Sequence, residues 1–289
     1  MYPTFGTSTW ITPYGLMLVV ALLGCWFYAR RRARAAGLDV SHINLAVPLI
    51  FILSALGAKV FTFVFPGDVE FAGELFQTHS RYRLFGLFFA GVPVLFAYSR
   101  LAKLSFRGLL DLFALPVVLW LAILRLGCFM AGCCWGDLTQ EHPGLASFSD
   151  PHLARQILTL PWLSGDWIIT GVNFPAEGLA YQQHLLLGLI GPTAGSSLTV
   201  HPTQIYELVL LTFLLVIMQK VERRLPLPGT AALVALGSYA FLRFLIEFLR
   251  ADNNLVWRYL TSTQLICIAL LLGCAVLIRK TGFTYRTLL

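Results

Sequence analysis

The sequence predicts an all-α integral membrane protein of about seven transmembrane helices, with an exoplasmic cap segment between spans four and five. Three observations carry that prediction. Of 289 residues, 57% are hydrophobic and 12% charged, about half the charge of an average soluble domain, roughly 25%. The apolar residues fall into runs long enough to span a bilayer, which takes about 20 residues. The basic residues that make the net charge +7 sit in short clusters between those runs, where they set orientation. No nucleic-acid partner is expected from them.

The runs fall at roughly 13–30, 44–65, 84–100, 109–134, 203–221, 228–248 and 262–279. The first is followed by Arg30, Arg31, Arg32 and Arg34 and has no basic segment before it, so it reads as a retained span. With the N-terminus outside, 13 of the 21 Lys and Arg fall on the inner side. Five (Arg81, Arg83, Arg155, Arg250 and Arg258) fall outside, and Lys59, Arg125 and Arg243 lie within spans. The positive-inside rule then favours an outer N-terminus and a cytoplasmic C-terminus, the parity of seven spans. The whole chain reads as a single polytopic membrane domain, 1–289, with residues 137–202 as the cap insertion. That segment holds Trp162, Trp167, Phe174 and Tyr181, aromatic residues suited to the membrane interface. Its run His184 to Ile190 is apolar but too short to cross.

An ionisable side chain at the bilayer centre costs several kcal/mol, so intramembrane charges mark function. The sixth run ends GSYAFLRFLIEFLRAD. On one continuous helix its Arg243, Glu247 and Arg250 would share one face, within about 60° of one another. Two readings stand: an Arg–Glu pair that lets a structural helix insert, or a net positive face for an anionic partner. The fourth run carries Arg125 in LRLGCFMAGCCWG. If the helix continues, Gly132 and Gly136 share the face of Arg125, either as a close-packing pair or as room for a phosphate beside a guanidinium. Cys128, Cys133 and Cys134 lack a CxxC pair, and adjacent cysteines on a helix point about 100° apart; a metal site is not expected. HPTQIYE opens the fifth run, with Pro202 suited to a first helical turn, His201 before it and Tyr206 and Glu207 one turn in. His201 and Glu207 are either interfacial polar residues or an acid–base set with the arginines. Tyr14, at the start of the first run, is a belt aromatic or a site hydroxyl.

These fragments together resemble the prolipoprotein diacylglyceryl transferases, membrane enzymes of bacterial lipoprotein maturation, from Tyr14 to about Asp252. YGLM opens the first span, and GAK at 57–59 stands where the family has two glycines and an arginine. Asp111 precedes Arg125 by the family's interval. RLGCFMAGCCWG is similar to the signature RxGNFxNxExxG, HPTQIYE to HPSQLYE, and RFLIEFLR to the R-x3-E-x2-R pattern. The departures are Cys128 and Ala131 in place of two asparagines, Cys133 in place of glutamate, and Leu84 at the histidine of the family's HGGL motif, with His79 nearby.

The resemblance implies an enzyme of the bacterial inner membrane. It would move a diacylglyceryl group from phosphatidylglycerol to the thiol of a lipobox-containing prolipoprotein, with glycerol phosphate leaving and no cofactor. Arg125, Arg243, His201, Glu207 and Glu247 would be catalytic. Tyr14, Lys59, Cys128, Gly136, Tyr206 and Arg250 would bind substrate. A related lipid-group transferase with another acceptor, or a phospholipid-binding or transport protein, would use the same arginines.

Overall fold

The computed structural model describes residues 12–64, 83–139, 171–176, 178–225, 227–251, 255–257 and 260–288, with the side chains of 58–64, 83–89, 255–257 and 281–288 set aside. Its helices are α1 (Pro13–Ala35), α2 (Val40–Val64), α3 (Arg83–Leu101), α4 (Phe106–Ala131), α5 (Leu179–Leu186), α6 (Thr203–Val221), α7 (Thr230–Ile246) and α8 (Ser262–Leu288). A short antiparallel hairpin, β1 (Leu255–Trp257) and β2 (Leu260–Thr261), joins the last two helices.

Among the described residues, six helices are long and apolar enough to cross a membrane: α1, α2, α4, α6, α7 and α8. The stretch read as the third span forms α3, a helix of 19 residues. Large apolar side chains stay uncovered on these helices, among them Phe27, Leu45, Phe213 and Leu272. Lipid is the solvent such surfaces require. The chain is therefore a multi-pass helical membrane protein. Helix α4 is the most enclosed, with 56% of its spanning window buried against 22% in α1.

Packing divides the chain into two compact units, one of residues 26–116 and one of residues 1–25 with 117–289. In the first, α2 and α3 meet through small residues. A Cβ added at Gly57 would overlap that of Ala90, and one at Gly91 would come within 2.9 Å of Ser54 Oγ. Close backbone approach of this kind holds helices together where lipid removes the hydrophobic drive. Tyr98 reinforces the pair by donating its hydroxyl to the His42 carbonyl at 3.1 Å. Pro116 lies inside α4 and has no N–H to offer the carbonyl four residues back. That carbonyl, on Leu112, instead accepts Arg32 Nε at 3.0 Å, and the Asp111 carbonyl accepts Arg32 Nη2 at 3.1 Å. An arginine counted in the sequence as an orientation signal thus also satisfies the backbone at a proline.

In the second unit α1 packs on α4, where a Cβ on Gly24 would meet Ile123 Cδ1 at 3.2 Å and one on Gly127 would meet Met17 Cβ at 3.0 Å. Helices α6, α7 and α8 pack in succession. The described part of residues 137–202 is folded. Trp135, Leu138, Phe174, Ala180, Leu189 and Val200 form a buried cluster. Isolated bridges Leu138↔Val200, Val172↔Val200 and Pro175↔Ser196 tie its backbone together. The apolar run at 184–190 forms the end of α5 and supplies Leu189, with Leu187 packed beside it, to this cluster. His184 is buried and accepts the Leu198 N–H on Nδ1 at 3.2 Å. Trp162, Trp167 and His79 lie outside the described residues.

Two sequence expectations fail at helix ends. Helix α4 stops at Ala131, three residues before the apolar run does. Gly132 takes φ +68, its N–H bonds the Phe129 carbonyl at 3.1 Å and the Cys133 N–H bonds the Cys128 carbonyl at 3.1 Å. This 5→2 and 6→1 pair is the Schellman stop, which wants a residue without Cβ strain at the left-handed position. Gly132 and Gly136 therefore do not share a helical face with Arg125. Likewise α7 ends at Ile246, a 3-10 turn follows over Glu247–Leu249, and Arg250 is extended, φ −92 and ψ 129. Arg243, Glu247 and Arg250 do not lie along one α-helix.

Candidate active site

Three segments of the second unit meet around Gly136. The Gly136 N–H donates to the His201 carbonyl at 2.9 Å, the Asp137 N–H to the Leu249 carbonyl at 2.8 Å, and the His201 N–H to the Asp137 carbonyl at 2.9 Å. Gly136 and Arg250 form an antiparallel bridge. The backbone just after α4 is thus clamped between the residues before α6 and those after α7. A Cβ on Gly136 would lie 2.6 Å from the Leu249 carbonyl oxygen, 2.7 Å from His201 Cβ and 2.8 Å from the His201 carbonyl oxygen. Two of the three are backbone atoms and cannot swing aside, so only glycine fits. Gly136→Ala should cost about 1–3 kcal/mol of stability and displace His201 and Arg250. Gly195→Ala, with nothing within 4 Å of the added carbon, is the control. Thermal unfolding of the two purified variants checks this, and equal melting temperatures would refute the clamp.

Inside this clamp the intramembrane charges assemble. Arg125 Nη2 lies 2.8 Å from Glu207 Oε1, and Arg243 Nη1 donates to Glu207 Oε2 at 3.3 Å. Arg243 Nη2 lies 2.8 Å from Glu247 Oε2, and Arg250 Nε lies 3.9 Å from that same oxygen. The result is a buried row, Arg125–Glu207–Arg243–Glu247–Arg250, drawn from α4, α6 and α7 and the turn after it. All five residues are at most 9% exposed, and Glu247 is fully buried. Glu247 also accepts the Thr261 hydroxyl on Oε1 at 2.9 Å. The row itself sets three guanidiniums against two carboxylates. Glu207 serves two of the arginines at once.

The other sequence-chosen residues distribute unevenly. Tyr14, half-buried at the start of α1, interacts electrostatically with Arg125, Cys128, Cys133 and Cys134. Cys128 Sγ lies 4.0 Å from Arg125 Nη1. His201 is buried rather than interfacial, with Nδ1 3.2 Å from the Tyr206 hydroxyl. Burial pulls its imidazole below the ordinary range, because the charged form loses solvation. Lys59 lies on α2 in the first unit, with its side chain outside the described set. Leu84 lies on α3 with its side chain likewise outside.

Several contributors were missed. Tyr239 is buried on α7 and interacts with Glu207, Arg125 and Arg243; its place four residues before Arg243, one helical turn away, was the available signal. Gln204 Nε2 donates to the Cys133 carbonyl and Thr203 Oγ1 to the Cys134 carbonyl, each at 2.6 Å. Both lie inside the HPTQIYE fragment already singled out. Thr261 had no local signal, since its partner Glu247 is brought to it only by the packing of α7 against α8.

The profile of the prolipoprotein diacylglyceryl transferase family matches residues 5–279. The chain belongs to that family. Among similar proteins is a phosphatidylglycerol–prolipoprotein diacylglyceryl transferase of Xylella fastidiosa (strain M12), 29% identical over 278 residues, covering 89% of this chain and 84% of that protein. Proteins of the same description from Xanthomonas oryzae pv. oryzae (strain PXO99A) and Clostridium tetani (strain Massachusetts / E88) are 27% and 25% identical. They align over 91% and 92% of this chain and 85% and 90% of their own lengths. Within the family signature, this transferase-family chain carries sulfur at Cys128 and Cys133.

Proposed function

We propose that this chain transfers the diacylglyceryl group of phosphatidylglycerol to the thiol of a prolipoprotein cysteine. The observation that carries the reading is the buried row that gathers Arg125, Arg243 and Arg250 in one place. Arginines inside a membrane protein mark a site of function, and a phospholipid headgroup phosphate is the anion their planar forks fit. The family membership supports the acceptor class, and the description of the similar Xylella fastidiosa protein supports the donor.

In this reaction the acceptor thiolate attacks the terminal glyceryl carbon. The new S–C bond forms as the C–O bond to phosphate breaks, and glycerol phosphate departs with the electron pair. Arg125, Arg243 and Arg250 bind the phosphate and stabilise the charge that builds on the leaving oxygen. Glu207 and Glu247 hold the guanidinium planes in place. The thiol must first lose its proton, and His201 receives it. In this role His201 carries its ring proton on Nδ1, toward the Tyr206 hydroxyl, and Nε2 is the free base. Tyr14, Cys128 and Gly136 line the substrate path.

Purified protein, phosphatidylglycerol and a lipobox peptide are the direct test. A peptide mass increase of one diacylglyceryl group is expected, and an unmodified peptide would overturn the reading. Modification of a different acceptor under the same conditions would favour a related lipid-group transferase, which the sulfur-substituted signature allows. The base has its own signature. His201 is neutral above its lowered pKa, so kcat/KM should be flat at neutral pH. It should fall in acid only below the usual imidazole value of about 6.5. A fall beginning above that value would exclude His201.

The same proposal sets the protein in the inner membrane with seven spans, the N-terminus outside, the 137–202 cap outside and the C-terminus inside. Reporter fusions after Leu289 and near Gly144 should therefore give opposite sides. Matching signals would break the seven-span arrangement.

A further inference from the structure

A continuous helix through Cys133 and Cys134 would splay the thiols, and the sequence expectation of no metal site rests on that assumption. That assumption fails, because the chain leaves the helix at Gly132. The turn brings Cys128, Cys133 and Cys134 together with all three Sγ atoms within 4.8 Å of one another. We propose that Cys128, Cys133 and Cys134 form a three-thiolate site for a soft monovalent ion, copper(I).

The site is built rather than incidental. Cys134 has φ +63, a left-handed backbone that a residue with a Cβ adopts only under constraint. The constraint is visible in the two 2.6 Å hydrogen bonds from Thr203 Oγ1 and Gln204 Nε2 to the carbonyls of Cys134 and Cys133. Gln204 is 1% and Thr203 1% exposed, so these are interior clamps on the cysteine turn. Cys133 Sγ lies 3.6 Å from the Cys128 carbonyl, which keeps it folded back over the helix end.

Geometry and charge select the ion. A metal–thiolate bond of about 2.3 Å puts sulfurs roughly 4 Å apart in a trigonal site, so the three Sγ atoms need to close by less than about an ångström. Among the described residues no histidine, aspartate, glutamate or fourth cysteine joins the group. Zinc takes four ligands in structural sites, whereas copper(I) is satisfied by three thiolates, and thiolates favour it. Binding breaks three S–H bonds, forms three Cu–S bonds and releases three protons. The product carries a charge of −2, next to Arg125 at 4.0 Å from Cys128 Sγ. The inference concerns the thiols alone and stands whether or not the diacylglyceryl reaction is the protein's own.

The test is anaerobic titration of the reduced, full-length protein in detergent with copper(I) held by a coloured competing chelator. One copper(I) withdrawn per chain is expected, with three sulfur neighbours by X-ray absorption. Cys133→Ser and Cys134→Ser should each weaken binding at least tenfold. A variant with serine at Cys25, Cys267 and Cys274 together should bind as the parent does. Zinc(II) should bind more weakly than copper(I). Failure of the parent protein to withdraw copper(I) would overturn the proposal without reference to any variant. Unchanged binding after replacing all three clustered cysteines by serine would do the same. Zinc(II) binding as tight as copper(I) would overturn the three-coordinate assignment.

Discussion

Glu207→Ala should destabilise the protein by about 3–5 kcal/mol, the cost of leaving buried charge without its partner. Within the row, Glu207 is the carboxylate that the arginines of two helices share, Arg125 at 2.8 Å and Arg243 at 3.3 Å. Removing it takes one of two negative charges from the row and turns two neutralised guanidiniums against each other. Glu207→Gln keeps the shape and one acceptor, so it should fall between alanine and the parent. The informative variant is the double one. Glu207→Ala with Arg125→Leu removes one charge of each sign and restores the original balance, so part of the lost stability should return. Activity should not return, because a phosphate ligand has gone. A double-mutant cycle on thermal or denaturant unfolding in detergent measures the coupling. Strict additivity of the two single changes would mean that Arg125 and Glu207 do not interact.

The spans were legible because lipid imposes a simple rule: every helix long enough to cross must be apolar along its length. The charges were legible for the converse reason, since Arg125, Glu207, Arg243 and Glu247 stand out against an apolar background. Their grouping was anticipated only in part. Sequence spacing placed Arg243, Glu247 and Arg250 together, but through a helix that the chain abandons at Ile246. They remain neighbours because the 3-10 turn and the Gly136 bridge return Arg250 to the same place.

Helix termination was the harder question. The fragment GCCWG is apolar enough to continue a span, and hydrophobicity does not register the left-handed turn at Gly132. Only the habit of glycine at the position after a helix end pointed to it. That single turn decides the fates of Gly136, which becomes a backbone clamp, and of the three thiols, which converge. Long-range pairings such as Thr261 with Glu247 depend on packing between helices and leave no trace in local spacing.

Arg243→Lys and Arg125→Lys should each lower activity by about 10²–10³-fold, the loss typical of removing one donor to a developing oxyanion, while the protein still inserts and folds. Lysine preserves the charge, so it tests geometry. Arg243 reaches two carboxylates at once, Glu207 through Nη1 and Glu247 through Nη2. A single ammonium is a point charge on a flexible stem and lacks the planar fork that spans both. With lysine in place of Arg243, Glu207 and Glu247 would compete for one group, and neither would hold it square to a phosphate. Arg125 has one carboxylate partner in the row, so its fork has nitrogen left for a ligand; lysine would spend its reach on Glu207. The two variants should therefore differ in kind. Arg125→Lys should raise KM for the lipid as well as lower kcat, whereas Arg243→Lys should act mainly on kcat, through disorder of the row. Parent-like turnover in both would mean that the arginines only hold helices together, and the transferase reading would lose the observation that carries it.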